Sequence, residues 1–174
     1  MYKKYELMLN DYIIFKGRKL FKIRRFSDNA LGGYIEKYSN LSHEGTCWVS
    51  PGAKVLGRAK ISGEAQVSGC AIVYGRARVN SFSHVSENSR VGGRAIITAM
   101  ARVSGQAVVS GYSFITGSCE VSGNSWVYGR ATIMGSVRCL GRNKVSGNSV
   151  VSGRGDIRDK LLRNQSITVR GVLF

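Results

Sequence analysis

Residues 57–79 read GRAKISGEAQVSGCAIVYGRARV, in which an aliphatic residue returns at every sixth position. The same spacing covers 19 positions from 49 to 157, and Cys139 is the only one that is not valine or isoleucine. A small residue, mostly Ala or Ser, stands two positions before most of them, and Gly stands two positions after most of them. A fixed internal period of this kind indicates a repeat architecture.

The period of six matches neither a helix nor a simple alternating strand. It matches a short strand followed by a corner, because residues two apart on a strand point to the same side and glycine accepts the positive φ of a sharp turn. Three strands and three corners close a coil of three hexads, so residues three hexads apart stack. We therefore predict an all-β, three-sided parallel β-helix of about six turns over residues 48–158.

Residues 1–47 are predicted to form an N-terminal cap and a link. The apolar runs 12–15 and 20–23 flank Lys16-Gly17-Arg18-Lys19, the pattern of a β-hairpin. An open solenoid end exposes unpaired strand edges, which proteins usually cover. The hairpin is therefore expected to cap the first turn.

The repeat ends at residue 157, because Arg163 stands where the next aliphatic residue would be. Residues 159–174 are predicted to be a C-terminal cap or tail, with a helical turn at 159–163 and a strand at 166–174. This tail either covers the far end of the solenoid or reaches a neighbouring subunit.

The composition indicates a cytoplasmic protein without a membrane segment. No apolar run approaches the roughly 18 to 20 residues that span a bilayer, and MYKKYELMLN lacks the apolar core of a secretion signal. The four cysteines have neither metal-ligand nor disulfide-framework spacing. Cys47, Cys119 and Cys139 occupy inward positions of the repeat, so we expect reduced, buried thiols.

The chain is strongly basic, with 26 Lys and Arg residues against 10 Asp and Glu residues and a net charge of +16. Such a field favours anionic partners, including nucleotides, nucleic acid, acidic polymers and anionic lipid headgroups. A high net charge also keeps a repeat protein soluble. The charge alone does not choose between these interpretations.

One corner of the predicted helix carries a column of arginines. Arg58, Arg76, Arg94 and Arg130 fall one or two whole turns apart, and Tyr112 fills the remaining place. Lys60 and Arg78 stand beside them in the next column. Stacked guanidinium groups repel one another unless an anion lies between them, and their geometry suits phosphate. Either this column binds an anion or the arginines are solvated side chains of a corner motif.

One outer face is predicted to be unusually apolar. Its outward residues are Leu56, Ile72, Tyr74, Val108, Trp126 and Tyr128. Exposed apolar strips mark partner surfaces, so a homotrimer packed side by side through this face is expected. Alternatively, the aromatic side chains are platforms for nucleobases beside the arginines. The two are compatible, because a ligand could lie between subunits.

The opening segments LFKIR (20–24), LGGYIE (31–36), NLS (40–42), EG (44–45) and CWV (47–49) carry a resemblance. Together with the repeat, they resemble a family of uncharacterised hexapeptide-repeat proteins of bacteria and their phages, usually labelled acyltransferases because of their fold. The resemblance covers essentially the whole chain and implies a left-handed coil. Because one fold hosts many functions, it adds little about chemistry.

The sequence argues against catalysis. Hexapeptide acyltransferases typically use a histidine base and a loop that projects from the coils, whereas the hexads here run without an insertion. His84, predicted on the outside, is a weak candidate base, and His43 precedes the repeat. The zinc carbonic anhydrases of this fold need three histidine ligands, and this chain has two histidines. We predict neither a metal nor a cofactor.

We therefore predict a non-catalytic protein that captures an anionic, phosphate-bearing ligand, with a nucleotide as the expected ligand. The predicted ligand-binding residues are Arg58, Lys60, Arg76, Arg78, Arg94, Arg130, Tyr74, Tyr112, Trp126 and Tyr128. In a phage, such binding could sequester a nucleotide immune signal, an extension that the resemblance and the basic charge imply. The alternatives are an acyl-CoA-dependent acyltransferase, with His84 or His43 as base, and a nucleic-acid-binding protein.

Overall fold

The computed structural model describes residues 3–173, whose regular secondary structure consists of β-strands and one 3-10 turn at Tyr38–Asn40. The first three strands are β1 (Tyr5–Phe15), β2 (Arg18–Arg25) and β3 (Leu31–Ile35). Strands β4 to β18 have two residues each: Trp48–Val49, Lys54–Val55, Lys60–Ile61, Gln66–Val67, Ile72–Val73, Arg78–Val79, His84–Val85, Arg90–Val91, Ile96–Ile97, Arg102–Val103, Val108–Val109, Phe114–Ile115, Glu120–Val121, Trp126–Val127 and Thr132–Ile133. The last five are β19 (Ser136–Leu140), β20 (Lys144–Ser146), β21 (Val150–Arg158), β22 (Leu161–Arg163) and β23 (Ser166–Leu173).

Every third strand of the repeat pairs in parallel, which makes three faces. The Val55 face contains β5, β8, β11, β14, β17 and β20, and the Ile61 face contains β6, β9, β12, β15, β18 and β21. The Val49 face contains β4, β7, β10, β13, β16 and β19. Residues three hexads apart are directly paired, as in Ile61 with Val79 and Val91 with Val109. The predicted β-solenoid is confirmed.

The aliphatic columns form the core inside the coil. The Val and Ile residues of the repeat are fully buried, each contributing about 1.5–3 kcal/mol relative to an exposed side chain. Serine replaces alanine at several inward positions because its hydroxyl donates to a corner carbonyl, as Ser83 does to Asn80 and Ser113 does to Ser110, both at 2.6 Å. Cys47, Cys119 and Cys139 are buried and free, as predicted.

The solenoid has about eight turns, so the predicted six are too few. At the first turn β3 pairs with β5 through Ile35 and Val55, whose separation exceeds three hexads by two positions. At the last turn Val145 pairs with Leu162, one position short of three hexads, and Val151 pairs with Ile167, two positions short. Because these turns are longer or shorter than three hexads, the strict period of six does not extend into them.

The C-terminal tail is built of strands. The helical turn predicted at 159–163 is wrong, because Leu161–Arg163 is strand β22 and pairs with β20. The strand predicted at 166–174 is confirmed as Ser166–Leu173. Phe174, and Met1 and Tyr2 of the predicted cap, lie outside the described residues.

The predicted N-terminal hairpin is confirmed, and its strands are longer than expected. Strands β1 and β2 are antiparallel around Lys16 and Gly17, whose φ angles are 50° and 72°. Tyr5 anchors the hairpin on the first turn, where its buried hydroxyl donates to the carbonyl of Leu41 at 2.8 Å. Burial raises the pKa of Tyr5, so the hydroxyl stays a donor. The hairpin turn lies against the Val55 face, with Lys16 Nζ 5.7 Å from the Tyr74 ring centre.

The corner between the Val55 and Ile61 faces differs from the other two corners. All six of its repeat positions with positive φ are glycine: Gly57, Gly75, Gly93, Gly111, Gly129 and Gly147. The other corners accept Ser81, Glu87 and Ala99 at such positions. At the glycine corner, a Cβ added to Gly93 would lie 2.7 Å from the backbone nitrogen and oxygen of Gly111.

We expect Gly93→Ala to lower the free energy of unfolding by about 1–2 kcal/mol, because it adds a strained φ and a contact with rigid backbone. The matched control is Ala99→Gly, which keeps the positive φ at another corner and should change stability by less than about 1 kcal/mol. Urea unfolding measures both. Equal stability of Gly93→Ala and the parent protein would contradict this account of the corner.

Candidate anion-binding site

The arginines of the predicted column stack along the glycine corner. The amide of Arg58 donates to the carbonyl of Gly75 at 2.6 Å, and Arg76 and Arg94 donate in the same way one and two turns later. Tyr112 and Arg130 continue the series. The side chains are exposed. Because paired strands are about 4.8 Å apart, the guanidinium groups start from backbone positions close enough to share one anion.

Tyr112 occupies the column as a spacer between arginines. Its ring centre lies 5.2 Å from the Arg94 guanidinium and 6.0 Å from that of Arg130. The negative face of an aromatic ring attracts cations, so Tyr112 offsets the repulsion between these two arginines. No such ring separates Arg58 from Arg76 or Arg76 from Arg94, so the repulsion among these three arginines is left for an anion to offset.

The corner cations have no carboxylate partners. Among residues 3–173, the ion pairs within 4.0 Å join other groups, such as Arg18 with Glu36, Lys22 with Asp11 and Arg138 with Asp156. None includes a predicted corner cation: Arg58, Lys60, Arg76, Arg78, Arg94 or Arg130. The cations at this corner are therefore available to an anion from solution.

A cleft of about 500 Å³ lies at the N-terminal end of the column. Its polar and aromatic wall is formed by Lys16, Arg18, Lys37, Arg58, Tyr74 and Arg76. The hairpin turn supplies Lys16 and Arg18, and the loop after β3 supplies Lys37. We call this space the first cleft. It combines five cationic side chains with one aromatic ring.

Glu36 holds the hairpin turn against the corner. One of its carboxylate oxygens accepts from Arg18 Nη1 at 2.8 Å, and the other accepts from the amide of Gly57 at 2.5 Å. The carboxylate therefore fixes the position of Arg18 and caps a corner amide. The other four cations of the first cleft are left without an acidic partner among the described residues.

A second cleft of about 350 Å³ continues along the column. It is lined by Arg76, Arg78, Arg94, Ile96 and Tyr112. Arg76 belongs to both clefts, so they form one continuous cationic surface. Arg78 pairs in register with Lys60 and Ile96, as the three-hexad spacing predicted.

The predicted aromatic residues separate into two groups. Tyr74 lines the first cleft, and its ring lies over Gly92, where an added Cβ would be 2.2 Å from the ring Cζ. Trp126 and Tyr128 instead line a different cleft of about 390 Å³ on the Val55 face. The structure therefore brings Tyr74 and Tyr112 to the arginines of the column and places Trp126 and Tyr128 apart from those arginines.

The apolar Val55 face is partly covered within the chain. Leu56 is only 5% exposed and also lines the first cleft beneath the hairpin turn, so it is not available to a partner subunit. Ile72 and Val108 are half-buried, and Trp126 is 52% exposed. The homotrimer through this face stays a prediction.

Sequence reasoning missed Lys16, Arg18 and Lys37. The repeat predicts only neighbours that are three hexads apart, whereas the hairpin and the loop after β3 reach the corner through tertiary packing. The basic run Lys16-Gly17-Arg18-Lys19 was visible as a turn. Its charge was the available signal that this turn would join a cationic site.

Neither histidine lies in these clefts. His84 is exposed on the Val49 face, with Nδ1 3.0 Å from the carbonyl oxygen of Phe82. His43 stacks on Tyr5 with ring centres 4.4 Å apart, and its Nδ1 accepts from the amide of Lys4 at 3.2 Å. Burial, with Lys4 nearby, lowers the pKa of His43, which favours the neutral ring that accepts this bond.

Within residues 3–173, no group of three or more His, Cys, Asp and Glu side chains is placed to hold a metal ion. In the same range, no helix is long and apolar enough to cross a membrane. No protein-family model matches the chain, and a search of curated proteins finds no relative.

Proposed function

We propose that the protein binds a phosphate-bearing anion, specifically a nucleotide, in the first cleft. The main support is the convergence of Lys16, Lys37, Arg58 and Arg76 on a space where only Arg18 has a carboxylate partner among the described residues. Guanidinium groups donate two parallel hydrogen bonds to phosphate, and charge-assisted bonds are about twice as strong as neutral ones. A bound phosphate also relieves the repulsion between neighbouring arginines.

The ring of Tyr74 favours a nucleotide over free phosphate. It is half-buried at the cleft wall, and Leu56 adds apolar surface beside it. Aromatic rings stack on nucleobases, which bury apolar area that inorganic phosphate lacks. The phosphates would then lie at Arg58 and Arg76 and the base against Tyr74.

Thermal unfolding in the presence of ligands tests this proposal. ATP, a cyclic dinucleotide, coenzyme A and inorganic phosphate are compared at equal ionic strength. A ligand that binds only the folded protein stabilises it by about 2.7 kcal/mol at 100 times its Kd, so the nucleotides should raise Tm and phosphate should raise it less. No change with any nucleotide would contradict the proposal.

Nucleic acid binding is the second candidate, and the continuity of the two clefts through Arg76 favours it. A single strand could place successive phosphates along Arg58, Arg76 and Arg94 while its bases face Tyr74 and Tyr112. Each neutralised phosphate of a single strand contributes about 0.7 to the slope of log K against log salt, so three contacts predict a slope of about −2.

Arg130→Ala distinguishes a strand from a single nucleotide. Arg130 lies beyond Tyr112 and lines neither cleft, so its loss should leave ATP affinity unchanged. An oligothymidylate of about ten nucleotides that follows the column should bind more weakly and show a smaller salt slope. An oligonucleotide that binds no better than ATP would contradict the strand model.

The acyltransferase alternative predicts a different result. Coenzyme A carries phosphates and could enter the first cleft, but His84 lies on the Val49 face, away from the corner between the other two faces. Any acetyl transfer from acetyl-CoA should then be lost in His84→Ala if this residue is the base. Activity that survives in His84→Ala would remove His84 from this alternative.

A further inference from the structure

A second exposed surface, separate from the arginine corner, surrounds Trp126. The indole is 52% exposed and stands between two clefts. The larger, about 390 Å³, is lined by Val108, Ser110, Trp126, Tyr128 and Lys144. The smaller, about 240 Å³, is lined by Asn124, Trp126, Arg142, Asn143 and Lys144. Trp126 and Lys144 belong to both, so the indole forms a ridge across one continuous surface.

The indole ring has no partner within the described chain. Among residues 3–173, no aromatic ring pairs with Trp126 and no cation lies over it, whereas the buried Trp48 contacts both Tyr5 and Arg25. Its neighbours along the helix axis are Val108 and Lys144. A large ring left open in this way is available to a flat apolar surface from solution.

Polar groups around the ring are also available. In the described part of the chain, the side chains of Ser110, Asn124 and Arg142 form no hydrogen bond to protein, and the Lys144 ammonium lies 5.8 Å from the Tyr128 ring centre. No carboxylate of the described residues lines either cleft. The surface therefore offers one ring face, hydroxyl and amide groups at its edge, and two cations.

We propose that this surface binds a glycan that contains acidic sugars, with one pyranose ring stacked on Trp126. The C–H face of a pyranose is apolar and packs against the electron-rich face of an indole, while its hydroxyls, which are both donors and acceptors, match Ser110 and Asn124. A sugar carboxylate would accept charge-assisted bonds from Arg142 or Lys144. A chain that crosses the ridge would place neighbouring sugars in the two clefts.

The observations favour a glycan over two other candidate partners of this surface, a nucleobase and a second copy of the protein. A nucleobase stacked on Trp126 would use the ring but leave the clefts on its two sides empty. A second copy of this protein would bring another chain of net charge +16 against Arg142 and Lys144. Nucleotide binding and self-association are therefore treated as outcomes of the test.

Intrinsic fluorescence provides a local measurement because the chain has two tryptophans and Trp48 is only 7% exposed. The probes are trigalacturonate and a hyaluronan tetrasaccharide, with maltotriose as the neutral control. Both acidic oligosaccharides should change the emission of Trp126 and bind at least about tenfold more tightly than maltotriose, a difference of about 1.4 kcal/mol.

Trp126→Val tests the ring, because valine occupies the equivalent position one turn earlier at Val108 and should be accepted by the fold. It should reduce the affinity for both acidic oligosaccharides by about tenfold or more in calorimetry, and Lys144→Ala should have a similar effect. Phe82→Ala removes an aromatic side chain that is 55% exposed at another corner, and it should change nothing.

Four results would overturn the glycan proposal. They are the absence of binding by both acidic oligosaccharides, equal binding of maltotriose, unchanged binding in Trp126→Val, and a trimer in light scattering that dissociates in Trp126→Val. ATP affinity that falls in Trp126→Val would instead assign the ring to the nucleotide. The corner proposal is independent, because no corner arginine lines these clefts.

Discussion

Replacing Arg58 and Arg76 together by alanine is expected to weaken ATP binding by about 100-fold. Hydrogen bonds to charged groups contribute about 1.5–3 kcal/mol each, and both side chains are exposed, so the lower end applies to each. Two such losses amount to about 3 kcal/mol, and each 1.4 kcal/mol is a factor of about ten in affinity. Calorimetry at one fixed salt concentration measures the change.

The matched control for this variant is the double substitution Arg90→Ala and Arg102→Ala. It removes the same two charges from exposed positions on the Val55 and Val49 faces, away from the clefts. Because neither pair of arginines uses its side chain in an ion pair within the described residues, both variants should unfold at nearly the parent temperature. An equal loss of ATP affinity in both would assign binding to net charge and not to the corner.

Asn143→Ala is expected to lower the free energy of unfolding by about 2–4 kcal/mol, because each buried group left without a partner costs about 1–3 kcal/mol. Asn143 occupies an inward position where the repeat usually has Ala or Ser, and it is 1% exposed. Its amide nitrogen donates to the carbonyls of Leu140 at 2.6 Å and Ile157 at 3.0 Å, and its oxygen accepts from the amide of Lys160 at 3.0 Å. Urea unfolding measures the loss.

Two other substitutions show whether these bonds cause the effect. Asn148→Ala removes an exposed asparagine from the glycine corner and should stay within about 0.5 kcal/mol. Asn143→Ser should recover part of the loss, because Ser125 and Ser149 fill the equivalent inward positions and bond to backbone carbonyls. An unfolding curve of Asn143→Ala that coincides with that of the parent protein would show that the last turns do not depend on this amide.

The arrangement along the repeat was predictable because it depends on local geometry. Each hexad forms one strand and one corner, and the hexads follow one another without insertion. The stacking of every third hexad therefore follows from the positions of the Val, Ile and Gly residues alone. The column of Arg58, Arg76, Arg94, Tyr112 and Arg130 was therefore predictable from the sequence alone.

The terminal turns were not predictable in the same way. Asn40 and Asn143 donate hydrogen bonds to backbone carbonyls of neighbouring turns. These bonds support terminal turns that are longer or shorter than three hexads, and in such turns the period of six is lost. A helical turn was predicted at 159–163 because the aliphatic pattern stops there. Pairing with β20 makes it a strand, and this pairing depends on residues that are distant in the sequence.

By itself, the sequence determined the solenoid, its three faces and the stacked arginines, because each repeat needs only its neighbours. Only the tertiary structure decided that Lys16, Arg18 and Lys37 join Arg58, that Leu56 is covered, and that Trp126 stands apart from the arginines of the glycine corner. These relations depend on how the hairpin folds over the Val55 face and where each side chain lies across that face. The six-residue period of the sequence determines neither the packing of the hairpin nor these side-chain positions.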